Sequence, residues 1–229
     1  MNNKYLIFDS GPLINFSMNG ILNLLEKLKE EFNGEFIITK EVKKEIIDRP
    51  KTIPRFKLGA LKLEQLYNKG VFKLADINEN EVNELKKIRE NLMNSANSMF
   101  KTKKRSVHLI DKGEAAALAL SQIMKRKTNS KENIPLVVDE RTTRMLCENP
   151  ERLKKLMEKK LHAGIQADSG IYKLFNGFKI IRSTELAYIA HKRNLLNMKD
   201  QKIFEATIYG LKFKGCSISE KEAAAYGKL

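Results

Sequence analysis

Lys4-Tyr-Leu-Ile-Phe-Asp-Ser-Gly-Pro-Leu13 is the stretch against which the rest of this 229-residue chain makes sense. Four apolar or aromatic residues, Tyr5 to Phe8, run directly into Asp9, and a Ser-Gly-Pro turn then opens an apolar, helix-like segment. A short continuous apolar run bounded by turn residues reads as a strand buried on both faces, as in parallel sheets. In open α/β sheets, catalytic and ligand groups sit outside the carboxyl ends of the strands. Asp9 therefore stands where such a fold places chemistry.

The following residues repeat the pattern. Asn15 to Phe32 sets Ile21, Leu25, Leu28 and Phe32 on one helical stripe, opposite Glu26, Lys27, Lys29 and Glu30, and Asn33-Gly34 ends it. Glu35 to Ile38 is a short β run. Thr39 is placed to cap a helix from Lys40 to about Asp48, closed by Arg49-Pro50. This β-α-β-α rhythm predicts a mostly parallel sheet with crossover helices. A helix from Lys57 to Lys69 and a β-like run from Val71 to Leu74 come next. Glu79 to Phe100 is the longest periodic segment, with Leu85, Ile88, Leu92, Ala96 and Met99 on one face. The basic run Lys101 to Arg105 reads as a loop.

Asp111-Lys-Gly-Glu114 opens an alanine-rich helix through Met124, and the polar residues Lys125 to Asn133 lead to a second apolar strand, Pro135 to Val138. That strand ends in Asp139-Glu140-Arg141. Residues 142–176 read as helices with a loop around Gly164 to Gly170. Phe178 to Ile181 is the last strand, followed by a helix to about Asn194. The tail reads as a helix from Lys199 to Lys214, a stop at Gly215, and a short helix capped by Ser219 with Glu222 closing a capping box. No linker divides the chain, so residues 1–229 are expected to form a single domain.

Composition narrows the function classes. Lys+Arg 43 against Asp+Glu 28 gives a net charge of +15 and a pI near 9.7. That excess points to a polyanionic partner, with nucleic acid ahead of a membrane surface, although a lysine-rich surface also serves solubility. No apolar run approaches the roughly 20 residues that span a bilayer, and the apolar run after Lys4 is too short for a signal peptide. Cys147 and Cys216, the only cysteines, build neither a disulfide framework nor a zinc site, which favours a reducing, cytoplasmic setting.

Four acidic features occupy suggestive places: Asp9 after the first strand, Glu45 on the second helix, Glu114 in the first turn of the alanine-rich helix, and Asp139-Glu140 after the Leu136-Val-Val138 strand. Each has an ordinary role open to it, as a helix cap, a favourable charge on a helix dipole or a solvated face. Brought together at one rim of a sheet, carboxylates raise each other's pKa, and a hard cation such as Mg²⁺ or Mn²⁺ removes that repulsion. Such ions also activate water against a phosphodiester.

At these residues the chain resembles the PIN-domain family, and within it the small prokaryotic ribonucleases of VapC type. Ile7-Phe-Asp-Ser-Gly-Pro-Leu-Ile14 is similar to that branch's opening aspartate and Ser-x-x-Leu-Ile pattern. Ile37-Ile-Thr-Lys-Glu-Val-Lys-Lys-Glu-Ile46 carries a glutamate on the second helix as the family does. Asp111-Lys-Gly-Glu-Ala-Ala-Ala-Leu-Ala119 resembles its Gly-Glu-Ala helix, the most specific of these matches. Val137-Val-Asp-Glu-Arg141 resembles its later acidic pair, with Asp139 and Glu140 both open as the ligand. Arg182-Ser-Thr-Glu-Leu-Ala187 and Gly215-Cys-Ser-Ile-Ser219 are similar to its closing turns.

The resemblance implies an α/β three-layer sandwich, with a central mostly parallel sheet and helices on both faces. Residues of about 76–108 and 145–170 exceed what a compact domain of this kind needs and are expected to be charged helical insertions. It further implies RNA phosphodiester hydrolysis by a Mg²⁺ or Mn²⁺ ion held by Asp9, Glu114 and Asp139 or Glu140, with Glu45 completing the cluster. Ser10 and Thr184 become candidate phosphate contacts, and Lys101, Lys103, Lys104, Arg105 and Arg141 candidate RNA contacts. A non-catalytic RNA-binding or protein-partner module, and a toxin held by an antitoxin-like partner, are the rival readings. A homodimer stays open, and no membrane association is expected.

Overall fold

The computed structural model of the protein describes residues 4–195 and 200–226. In chain order the first elements are β1 (Lys4–Phe8), α1 (Ser10–Met18), α2 (Asn23–Phe32), β2 (Gly34–Ile38) and α3 (Lys40–Lys43). A π-helical stretch (Lys44–Asp48) and a 3₁₀ turn (Pro50–Thr52) lead to α4 (Pro54–Asn68) and β3 (Lys73–Leu74). Then come α5 (Glu79–Met99), β4 (Phe100–Lys101), α6 (Lys112–Lys127), β5 (Leu136–Val137), α7 (Arg141–Glu148) and α8 (Pro150–Leu161). Last are β6 (Gln166–Ala167), a 3₁₀ helix (Ser169–Leu174), β7 (Ile180–Ile181), α9 (Ser183–Lys192), α10 (Gln201–Phe213) and α11 (Glu220–Tyr226).

These elements sort into two compact units. The sheet unit holds the described residues up to Ala75, Val137–Glu140, and those from Ile181 onward, while the helical unit holds Asp76–Leu136 and Arg141–Ile180. Both segments expected as insertions fall in the helical unit.

The five-stranded sheet runs in the order β3-β2-β1-β5-β7. β1 and β2 pair in parallel with Leu6 opposite Phe36, and β2 and β3 pair in parallel with Ile38 opposite Leu74. The chain thus builds outward from β1 through β2 to β3, and later places β5 on the other side of β1. The reversal falls between β1 and β5, the position at which open α/β sheets form a ligand crevice. Asp9 N–H donates to Val137 O at 3.0 Å, joining those two strands at their carboxyl ends.

Alternation in β1 and β2 sends Leu6, Phe8, Phe36 and Ile38 into one core with Phe16, Leu25 and Phe204, while Ile7 and Ile37 point the opposite way and are equally buried. The sheet is therefore buried on both faces, as a continuous apolar strand requires, and the architecture is an α/β sandwich. Phe8 and Phe36 meet at 5.0 Å between ring centroids across the β1–β2 pair. Each such buried ring contributes about 1.5–3 kcal/mol. An exposed ion pair such as Lys27–Glu30 adds at most about 1 kcal/mol. The core, not the surface charge, holds this unit together.

Local sequence explains most element ends. Asn33 closes α2 in the left-handed region, and Gly34 admits the Lys4 carbonyl, which would lie 2.6 Å from an added Cβ. Thr39 caps α3 by accepting from Val42 N. Ser219 and Glu222 form the expected reciprocal cap of α11.

Three expectations change. The single helix from Asn15 to Phe32 is two helices, because Asn19-Gly20 turns the chain with Gly20 at φ 71°. The second helix does not stay α-helical to Asp48 but widens into the π-helical stretch at Lys44. The helix expected from Lys199 is described from Gln201, and Lys199 itself lies outside the described residues.

In the helical unit, α5 packs along α6 through Leu85, Leu92, Ala96 and Met99. Ala115 to Leu120 of α6 are all fully buried, and their small side chains suit a helix enclosed on every side. Arg89 of α5 is buried despite its charge and touches Glu90 at 3.2 Å. β4 and β6 form a two-stranded antiparallel sheet with Phe100 opposite Ala167, a pairing with no periodic signal in so short a segment.

Candidate active site

Asp9 and Asp139 are both buried, at 6% and 4% exposure, each just beyond the end of its strand. A Cβ placed on Gly11 would lie 3.7 Å from Asp9 Oδ2 and 3.9 Å from the Asp139 Cβ, so the two residues flank the same point. Asp9 sits in extended conformation immediately before α1. Burial pushes its carboxyl up to about 6, and the charges of Glu45 and Asp139 push the same way, while the N–H groups of Ser10 and Gly11 pull it back.

Asp139 is held differently. Its Oδ1 accepts from Ser183 N at 2.8 Å, and its Oδ2 accepts from Ser183 Oγ at 2.8 Å and Asn15 Nδ2 at 3.0 Å. Ser183 opens α9, so the carboxylate lies at a helix N-terminus, which favours negative charge. The Asp139 carbonyl accepts from Ser217 N at 3.0 Å. Asn15 and Ser183 are buried and were not singled out from the sequence. Asn15 was legible as a polar residue within an apolar helix, whereas nothing distinguished Ser183 from Thr184.

Glu45 lies exposed in the π-helical stretch, and Glu140 is exposed one residue beyond Asp139. Glu114, in the helical unit, accepts from Asp111 N at 2.7 Å and from Thr143 Oγ1 at 2.9 Å. It thereby serves as the capping glutamate of α6. Ser10 is half-buried at the start of α1. Thr184 is fully buried, with its hydroxyl 3.7 Å from Cys216 Sγ. The hydroxyl beside the acidic site belongs to Ser183.

The basic run is a built turn. Lys101 bridges Ser106, Thr102 N–H donates to Arg105 O at 2.9 Å, and Thr102 Oγ1 accepts from Arg105 N at 3.1 Å. Asn97 fixes the chain leaving it, accepting from Leu109 N at 2.6 Å and donating to Ile110 O at 3.0 Å. Lys101, Lys103, Lys104, Arg105 and Arg141 are exposed.

Among the described residues, no three His, Cys, Asp or Glu side chains gather into a metal cage. The donor set still suits Mg²⁺ or Mn²⁺. Such an ion is commonly held by one or two carboxylates, waters and substrate phosphate instead of an all-protein cage. Both cysteines are buried free thiols, and burial pushes each up to about 12, leaving them inert at neutral pH. Among the described residues, no helix is long and apolar enough to cross a membrane.

A family model described as a PIN domain matches residues 5–154, well over half of the chain. No curated protein and no solved structure matches it. β7, α9, α10 and α11, together with Ser183 at the start of α9 and Ser217 between α10 and α11, lie beyond the matched residues.

Proposed function

The chain belongs to the PIN-domain family, whose members are generally nucleases, and we propose that it hydrolyses RNA phosphodiester bonds with a Mg²⁺ or Mn²⁺ ion held by Asp9 and Asp139. One observation carries this reading: two buried aspartates at the ends of adjacent strands, where the sheet order reverses, with the proton affinity of Asp9 raised. Bound there, the ion would polarise the phosphodiester and help generate the attacking hydroxide. Asp139, fixed by Ser183 and Asn15, is the steadier choice over the exposed Glu140. Glu45 adds negative charge toward Asp9. The turn from Lys101 to Arg105, together with Arg141, offers cations to a phosphate backbone.

The deciding experiment is cleavage of labelled single-stranded RNA in Mn²⁺, Mg²⁺ or EDTA, comparing wild type with Asp9→Asn, Asp139→Asn and Glu114→Gln. Metal-dependent cutting lost in the two aspartate variants supports the reading, and Glu114→Gln tests separately the role that the family resemblance assigns to Glu114. Cutting that persists equally in all variants refutes the site. RNA binding without cutting by any form supports a non-catalytic module, and competition with a DNA oligonucleotide tests the substrate class.

A second reading, a nuclease restrained by an acidic antitoxin-like protein, is favoured by one surface. Ile14 and Met18 of α1 and Phe56, Leu58 and Leu61 of α4 are exposed, Leu58 by 67%, and the two helices are packed with Gly59 against Ser17. Exposed Arg55, Lys57 and Lys62 accompany them. Purification of the chain alone as a soluble, active monomer would count against such a partner, and a homodimer would show by its mass in solution.

A further inference from the structure

The Asp139 carboxylate has about four acceptor positions, and three are already taken. Ser183 N occupies one on Oδ1, while Ser183 Oγ and Asn15 Nδ2 occupy both on Oδ2. Among the described residues, one lone pair, on Oδ1, is left. The two groups that impose this are themselves fixed. Asn15 Nδ2 also donates to Leu211 O at 2.9 Å, and Asn15 Oδ1 accepts from Asn19 Nδ2 at 2.9 Å. Asn19 Oδ1 in turn approaches α10 so closely that a Cβ on Gly210 would meet it at 2.6 Å. Ser183 begins α9, and the preceding Arg182 is tied to Glu185 and to Glu222 of α11. Ser217 N holds the Asp139 backbone from the same C-terminal region.

We propose that Ser183 and Asn15 are positioning residues that make Asp139 a one-oxygen ligand, presenting Oδ1 to the divalent ion, and that the chain from α9 onward is the device that sets this orientation. The inference rests on the metal-dependent reading above and adds residues outside the four acidic positions. It also assigns a role to a stretch that the family model does not reach. Without Ser183 Oγ and Asn15 Nδ2, the carboxylate could rotate about its Cβ–Cγ bond and offer either oxygen, so the ion would meet a mobile ligand. Outer partners of this sort affect metal affinity by about 10- to 100-fold.

The test uses the full chain with Mn²⁺ as the probe, in wild type, Ser183→Ala and Asn15→Leu. Asn15→Leu keeps the side-chain size while removing both donors, which guards against one variant failing to fold. Bound Mn²⁺ is measured by electron paramagnetic resonance without RNA, and cleavage is measured as a function of Mn²⁺ concentration. The expected result is an Mn²⁺ dissociation constant raised about 10-fold or more in a folded variant, with cleavage at saturating Mn²⁺ within about 3-fold of wild type. Unchanged Mn²⁺ affinity in both folded variants, alongside a wild type that cuts, overturns the inference and leaves the nuclease reading intact. If wild type binds Mn²⁺ but does not cut, and the variants bind it more weakly, the positioning role stands and the nuclease reading falls. A wild type that binds no Mn²⁺ overturns both.

Discussion

The two units differ in what they would bring to a nuclease. The sheet unit contains Asp9 and Asp139, buried just beyond the ends of strands of a sheet buried on both faces, and the exposed Glu45 and Glu140, while the helical unit contains the turn from Lys101 to Arg105. The sheet unit has 22 Lys and Arg against 16 Asp and Glu, and the helical unit 21 against 12, so the larger surplus belongs to the helical unit. Burial makes carboxylates effective cation ligands but costs stability when no cation is bound, so they need a rigid core behind them. Phosphate-binding lysines need only solvent and approximate placement. Under the proposed function, the sheet unit would set the reaction chemistry and the helical unit the substrate affinity.

The sharpest way to break that division is to remove a carboxylate. Asp9→Asn or Asp139→Asn is expected to lower the cleavage rate by at least about 100-fold, since losing even an outer partner of a metal ligand costs about 10- to 100-fold. RNA affinity, read by filter binding in EDTA, should change little. A matching loss of RNA affinity would show that the two functions are not separated.

The converse substitution is expected to act on affinity. Replacing Lys101, Lys103, Lys104 and Arg105 with alanine should weaken RNA binding about 10-fold or more at low salt. It should also reduce the slope of log affinity against log salt by about 3 for single-stranded RNA. Cleavage at saturating RNA should hold. An unchanged salt slope would remove the basic turn from the RNA path.

Metal should stabilise the sheet unit through Asp9. At an Mn²⁺ concentration 100 times its dissociation constant, linkage adds about 2.7 kcal/mol to the folded state, seen as a rise in Tm of wild type over the same protein in EDTA. Asp9→Asn should lose most of that rise.

The smallest effect is the acid limb of stability. Against burial, which acts upward, Ser219 and the Arg182 guanidinium hold the Glu222 carboxyl down at about 2. Its contribution is fully present above the ordinary value of 4.5 and is lost as pH falls from there toward 2. Glu222 is 41% exposed, so solvent screening leaves it under about 1 kcal/mol. Glu222→Gln should flatten the dependence of the urea midpoint on pH across that window.

Much of this was legible because the signals are local. A continuous apolar run ending in Asp9, the Asn33-Gly34 stop, the Thr39 cap and the Ser219–Glu222 box each depend on a few adjacent residues, and each appears as expected. The break at Asn19-Gly20 was missed because the apolar pattern continues through it. The π-helical stretch around Glu45 was missed because Lys40 to Asp48 carries an ordinary helical pattern. β6 and the Ser183–Asp139 contact left no local trace, since their partners lie 65 to 67 and 44 residues away in the chain.

Sequence by itself determined the class of fold, the acidic positions and the basic excess, because strand length, helix period, capping and formal charge are properties of short windows. Only the tertiary structure decided which acids are buried and paired. Strand order places Asp9 beside Asp139, packing buries both, and the distant Asn15 and Ser183 hold one carboxylate. Hydrogen bonding and desolvation act through space, and proximity in space follows from the whole chain's packing, not from adjacency along it.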